Sequence, residues 1–129
     1  MDVFEEKELT IEEIVGELKI SKCSYDKIKE LNMIDDLILM FRKYNDINIC
    51  QSDLKYVFCG KEIIGYISSL IVNIEENKEA KSVVIFIQDK EYDETIVKTI
   101  MDKINVKQLD CLIGFKKSTN KRICGFIIG

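Results

Sequence analysis

Residues 82–88 read Ser-Val-Val-Ile-Phe-Ile-Gln, an apolar run with no polar residue inside it. A strand with one wet face alternates apolar and polar residues, so an unbroken run predicts a strand buried on both faces and placed centrally in its sheet. Polar residues bound it on the amino side, where 75–81 (EENKEAK) read as a loop or hairpin tip. On the other side Asp93 is placed to cap a helix carrying Ile96, Val97, Ile100, Met101 and Ile104 at helical spacing. The strand pattern resumes at 109–115 (LDCLIGF), so 82–115 form a strand-helix-strand unit, and 124–129 supply a last short strand.

The amino-terminal half has the other periodicity. Ile11, Ile14, Val15 and Leu18 share one helical face, with Thr10 as N-cap and Glu13 as its capping-box partner, which predicts a helix over 11–19. Tyr25, Ile28, Leu31, Ile34, Leu37, Ile38 and Phe41 extend helical structure over 24–44 with a break near Asn32. From Leu54 the character changes: 54–59 (LKYVFC), the pair Gly60-Lys61 and 62–74 (EIIGYISSLIVNI) read as two strands of a hairpin. No repeat or linker interrupts the chain. The expectation is a single α+β domain over 1–129 with a mixed, mostly antiparallel twisted sheet and packed helices, in the order β?-α-α-β-β-β-α-β-β, the first strand being left open.

Composition narrows the chemistry. The 129 residues include no histidine, no proline and no tryptophan, which excludes Ser-His-Asp and Cys-His nucleophiles, a histidine base, and zinc sites that need histidine. With 47% hydrophobic and 33% charged residues, the chain has the balance of a globular domain. Cys23, Cys50, Cys59, Cys111 and Cys124 form no C-x-x-C pair, so no metal site is predicted and the thiols are expected to be structural, in a reducing compartment. Cys59 and Cys111 lie in apolar runs and are expected to be buried. The acidic amino terminus has no apolar signal core, and the apolar stretches are too short to span a bilayer, so a cytoplasmic location and no membrane partner are expected. The net charge of −4, with only Arg42 and Arg122 as arginines, argues against a nucleic-acid partner.

Segment order and wording resemble the GNAT superfamily of acyl-CoA-dependent N-acyltransferases. Residues 56–67 (YVFCGKEIIGYI) are similar to its strand and hairpin, 83–104 (VVIFIQDKEYDETIVKTIMDKI) to its central strand and following helix, and 109–129 (LDCLIGFKKSTNKRICGFIIG) to its late segment, with Asn120 and Gly125-Phe126 in order. The resemblance implies that backbone amides of Phe86, Ile87 and Gln88 hold an acyl carbonyl. It also implies that Thr95 and Ile96, at a helix N-terminus, meet the pyrophosphate of acetyl-CoA, and that the strands at 82–88 and 109–115 splay apart. Two departures weaken that site: Tyr92-Asp93-Glu94-Thr95-Ile96-Val97 has no glycine and two carboxylates where the anion would sit, and no tyrosine follows Tyr92. The implied protein is a GNAT-like one with weakened or lost acetyl-CoA binding, acting through protein contacts. If active it would be an acetyl-CoA-dependent N-acetyltransferase, with Glu62, Glu91 and Asp110 the nearest carboxylates for a base and no catalytic residue assigned.

Three other readings compete. Residues 10–31 (TIEEIVGELKISKCSYDKIKEL) resemble a DNA-binding helix-turn-helix, whose reading helix would offer Lys22, Ser24, Lys27 and Lys29. Lys116, Lys117, Lys121 and Arg122 make a compact cationic loop suited to a phosphate, or a solvated turn that discourages edge pairing. The acidic residues Asp2, Glu5, Glu6, Glu8, Glu12 and Glu13 suit a protein partner with a basic surface, as in a small non-catalytic immunity or inhibitor module.

Overall fold

The computed structural model describes residues 9–42 and 45–129. Four helices come first: α1 (Ile11–Leu18), α2 (Lys22–Glu30), α3 (Ile34–Phe41) and α4 (Gln51–Phe58). A hairpin of β1 (Ile63–Ser68) and β2 (Ile71–Ile74) follows, then β3 (Ser82–Asp89), α5 (Glu94–Ile104), β4 (Asp110–Lys117) and β5 (Arg122–Ile128). The sheet runs β2-β1-β5-β3-β4, with β3 and β4 parallel and the other neighbours antiparallel. The α+β class and the mixed, mostly antiparallel sheet are as expected. A first strand and the acidic stretch Asp2 to Glu8 lie outside the described residues.

The run at 82–88 is apolar throughout because helices cover both faces of the sheet. Val84 and Phe86 of β3 join Phe126 and Ile128 of β5 in a core beneath α1–α4, packed by Leu18, Ile28, Leu37, Leu54 and Phe58. Val83, Ile85 and Ile87 point the other way, where Ile96, Ile100 and Ile104 of α5 close a second core with Ile67 and Ile127. Position along β3 therefore alternates between two dry interiors.

Local signals explain several elements. Thr10 caps α1 with a complete capping box to Glu13. Asn32, at φ +56°, turns the chain between α2 and α3. Asp93 caps α5 by accepting from the Thr95 amide at 2.9 Å.

Two expectations are corrected. Residues 54–58 belong to a helix that Cys59 ends, because Leu54, Val57 and Phe58 are buried at the i, i+3, i+4 spacing of one face. Residues 62–74 are not one strand but the whole hairpin, reversed at Ser69 and Leu70, with Ser69 at φ +56°. The closing segment does form a strand, as expected, and that strand lies in the middle of the sheet, flanked by β1 and β3. None of the helices among the described residues is long and apolar enough to cross a membrane.

Candidate functional site

The residues implied by the acyltransferase resemblance occupy two separate settings. Phe86, Ile87 and Gln88 sit within β3, each with a register partner on both sides: Gly114 and Cys124, Phe115 and Ile123, Lys116 and Arg122. The β3–β4 register is continuous from Ser82↔Asp110 to Asp89↔Lys117, so the expected splay is absent. At the helix, the Asp93 carboxylate takes the Thr95 amide and, at 2.6 Å, the Thr95 hydroxyl, while the Ile96 amide donates to the Asp93 carbonyl. These bonds to Thr95 hold the Asp93 carboxyl below its ordinary value, so a fixed anion already occupies this helix start. Glu62, Glu91 and Asp110 are all exposed. Glu62 and Asp110 lie at the sheet end where β1 and β4 begin, and Glu91 lies beyond the opposite end of β3.

A groove opens elsewhere, between α2 and the β1–β2 hairpin, with a volume of about 240 Å³. Its floor is made by a bulge: the β1–β5 register passes from Ile63↔Ile128 to Gly65↔Ile127, which leaves Ile64 as the extra residue. Gly65 is required there, since a Cβ would collide with the Asn73 carbonyl oxygen. Lys27 spans the groove, donating to the Ile63 carbonyl at 2.8 Å and pairing with Glu75 at 2.8 Å. The bond to Glu75 raises the ammonium above its ordinary value and keeps it charged. Leu31 and Tyr66 give the walls their apolar surface, and Asn73 and Glu30 complete the rim. Such a groove can hold an extended chain or an apolar side chain, and it presents no nucleophile. Sequence reasoning missed it, because reading 62–74 as one strand separates Tyr66 from Asn73, which the hairpin places opposite each other.

The same contacts correct the DNA-binding reading. Ser24 is buried and accepts the Ile63 amide at 2.9 Å, Lys27 is committed to Ile63 and Glu75, and Lys29 lies over the Tyr25 ring and pairs with Asp26. Two of the four residues that would read bases, Ser24 and Lys27, are thus turned to the protein's own sheet, while Lys22 and Lys29 stay exposed. The cationic loop is likewise partly neutralised: Arg122 binds Asp36, and Lys121 lies 3.8 Å from Asp89.

The five cysteines are all free. Cys59 is exposed at the end of α4 rather than buried, because the stretch is a helix and position 59 falls off its apolar face. Cys111 is half-buried, and burial raises its thiol. Cys124 is the buried one, pushed up to about 12 by desolvation with the Asp36 charge adding to it. Cys50 is the reverse case, lowered chiefly by its 3.0 Å contact with the Ser52 hydroxyl and then by the backbone amides of Asp53 and Ser52.

Taken together, the fold is a two-core α+β domain with a mixed sheet, carrying a groove at its hairpin edge and no assembled catalytic cluster among the described residues. No protein-family model matches the chain, and no curated protein matches its sequence. Among solved structures it is similar to FtsZ of M. jannaschii. The empty FtsZ dimer superposes with a TM-score of 0.52 at 16% identity, over 85% of this chain and 40% of that one. The W319Y mutant of the same protein gives 0.53 at 14% identity, over 84% of this chain and 41% of that one. The chain thus spans about two fifths of the length of these FtsZ structures, and the likeness establishes the fold.

That likeness overturns the GNAT resemblance and, with it, the acetyltransferase and acyl-CoA function implied above. Segment order misled because both architectures place a helix between a buried strand and a later one, whereas here those two strands pair along their whole length. Neither the helix-turn-helix regulator nor the immunity or inhibitor module is supported by the FtsZ-like fold. An FtsZ dimer among the neighbours is compatible with a protein partner.

Proposed function

We propose that this chain is a protein-association domain of FtsZ-like fold, working by contact with a second chain of the same fold rather than by chemistry on a small molecule. The observation that carries the reading is the match of 85% of this chain to a protein whose solved form is a dimer. The surface supports it: Leu70 and Ile71, at the tip and outer strand of the hairpin, are large apolar side chains left in solvent beside the groove. A cytoplasmic setting belongs to the same proposal and is supported by five thiols that form no disulfide.

Sedimentation velocity tests it, with the chain alone over a range of concentrations and mixed with purified M. jannaschii FtsZ. Self-association or a co-sedimenting complex is the expected result. A chain that stays monomeric and leaves FtsZ unbound overturns the proposal.

A further inference from the structure

The two edges of the sheet are treated differently. Beside β4, residues 46 and 47 cover the outer edge: Ile47 exchanges both backbone bonds with Phe115, at 2.9 and 3.0 Å, and Asp46 accepts the Lys117 amide. Beside β2, no described segment pairs. The strand itself reads Ile-Val-Asn-Ile, with no charge, no proline and no bulge in its register with β1, so of the devices that usually blunt an open edge it has its shortness but not the others. Ile71 is 65% exposed and Leu70 40% exposed.

The register shows which backbone groups are on offer. The Glu75 amide donates to the Ile64 carbonyl at 2.8 Å, and the pairs Tyr66↔Asn73 and Ser68↔Ile71 follow in step. Antiparallel ladders alternate, so Ile71, Asn73 and Glu75 bond towards β1 while the N–H and C=O groups of Val72 and Ile74 point outward. Charge is also ordered along this edge. The Lys103 ammonium sits at the start of β2, bonded to the Leu70 carbonyl, and the exposed carboxylates of Glu75 and Glu76 follow its end.

We propose that two copies of this chain join β2 to β2, antiparallel, about a twofold axis through the paired Asn73 residues, so that the two sheets become one. Outward groups can bond only to outward groups, which places Val72 opposite Ile74 of the second copy and the reverse. This register sets Leu70, with its Lys103 cation, against Glu76 of the other copy, and Ile71 against Glu75. Sliding by two residues either way loses that match: one direction puts Leu70 opposite Ile74, and the other brings the carboxylates of the two copies together. The short strand makes the contact small, so the dimer is weak and depends on concentration. The inference rests on the association reading above and names the partner and the surface.

Sedimentation velocity with two variants tests it. Val72→Pro deletes an outward N–H that the β1 ladder does not use, so it should remove the dimer while far-ultraviolet circular dichroism stays unchanged. Asn73→Cys, made with Cys23, Cys50 and Cys59 replaced by Ser, should form a disulfide dimer with oxidised glutathione. The two thiols give up two electrons and two protons to the glutathione disulfide, and mass spectrometry should locate the link at position 73 of both copies. Were Val72→Pro to unfold the chain, the Asn73→Cys link alone decides. A dimer that survives Val72→Pro in folded protein, or that yields no link at position 73, overturns this contact. A chain that is monomeric alone yet binds FtsZ also overturns it and leaves the association reading standing.

Discussion

Arg122 grips Asp36 with two parallel bonds, Nε to Oδ1 and Nη2 to Oδ2, each 2.7 Å, and so ties the start of the central strand to helix α3 across 86 positions of sequence. The carboxylate is 2% exposed and the guanidinium side chain 53%. The pairing raises the Arg122 guanidinium above its ordinary value.

This asymmetry predicts unequal costs. Arg122→Met leaves an ionised carboxylate without a partner in a dry site and should cost about 3 kcal/mol. Asp36→Asn leaves a guanidinium that can turn to water and should cost about 1 kcal/mol. Urea unfolding of the two variants checks the order, and equal costs would count against the burial argument.

Cys124 predicts a pH response. Its thiol is raised in the folded state from an ordinary 9.0 to about 12, so the unfolded chain loses the proton first as pH rises. The stabilisation is fully present below pH 9 and is lost between about 9 and 12, with a slope of up to about 1.4 kcal/mol per pH unit. Cys124→Ala should flatten the decline in melting temperature over pH 9–11 relative to the parent. Parallel curves would sink this assignment.

Thiol reactivity should divide the cysteines. With iodoacetamide at pH 7.5, Cys50 should be modified before Cys23 and Cys59, because its thiolate is stabilised by Ser52 and backbone amides. Cys124 should remain unmodified until the protein is unfolded. Peptide mapping over a time course gives the order.

Gly125 faces β3 so closely that a Cβ would collide with the Val84 carbonyl oxygen. Gly125→Ala should therefore cost at least about 2 kcal/mol by prying β5 from β3. Gly16, which has open space around it, should gain a few tenths of a kcal/mol or more from Ala in its helix. Thermal unfolding of the pair distinguishes packing from propensity.

Acetyl-CoA at millimolar concentration should leave the melting temperature unchanged, since Asp93 already holds the Thr95 amide that a pyrophosphate would use. A ligand present at 100 times its dissociation constant would add about 2.7 kcal/mol, which a thermal scan resolves easily.

Local signals were legible where side chain and backbone meet within a few residues. Thr10 with Glu13, Asp93 with Thr95, and the αL Asn32 each announce a helix end or a turn. Helix α4 was not legible as a helix, because Cys50 makes no side-chain cap bond and Tyr56, Val57 and Phe58 are strand-favouring types. The hairpin turn carries Ser69-Leu70 in place of an Asn-Gly signal, so β1 and β2 read as one strand. The groove and the Asp36–Arg122 pair depend on residues brought together from distant positions, and no local pattern marks them.

The position of β5 has a consequence for synthesis. On the ribosome β1 and β3 emerge well before the strand that lies between them, and they share no ladder of their own. Until residues 122–128 arrive, both carry a bare edge on the side that β5 will fill, the kind of exposed surface that favours aggregation. Closure comes in one late, non-local step, which makes the final strand the element whose arrival commits the whole sheet.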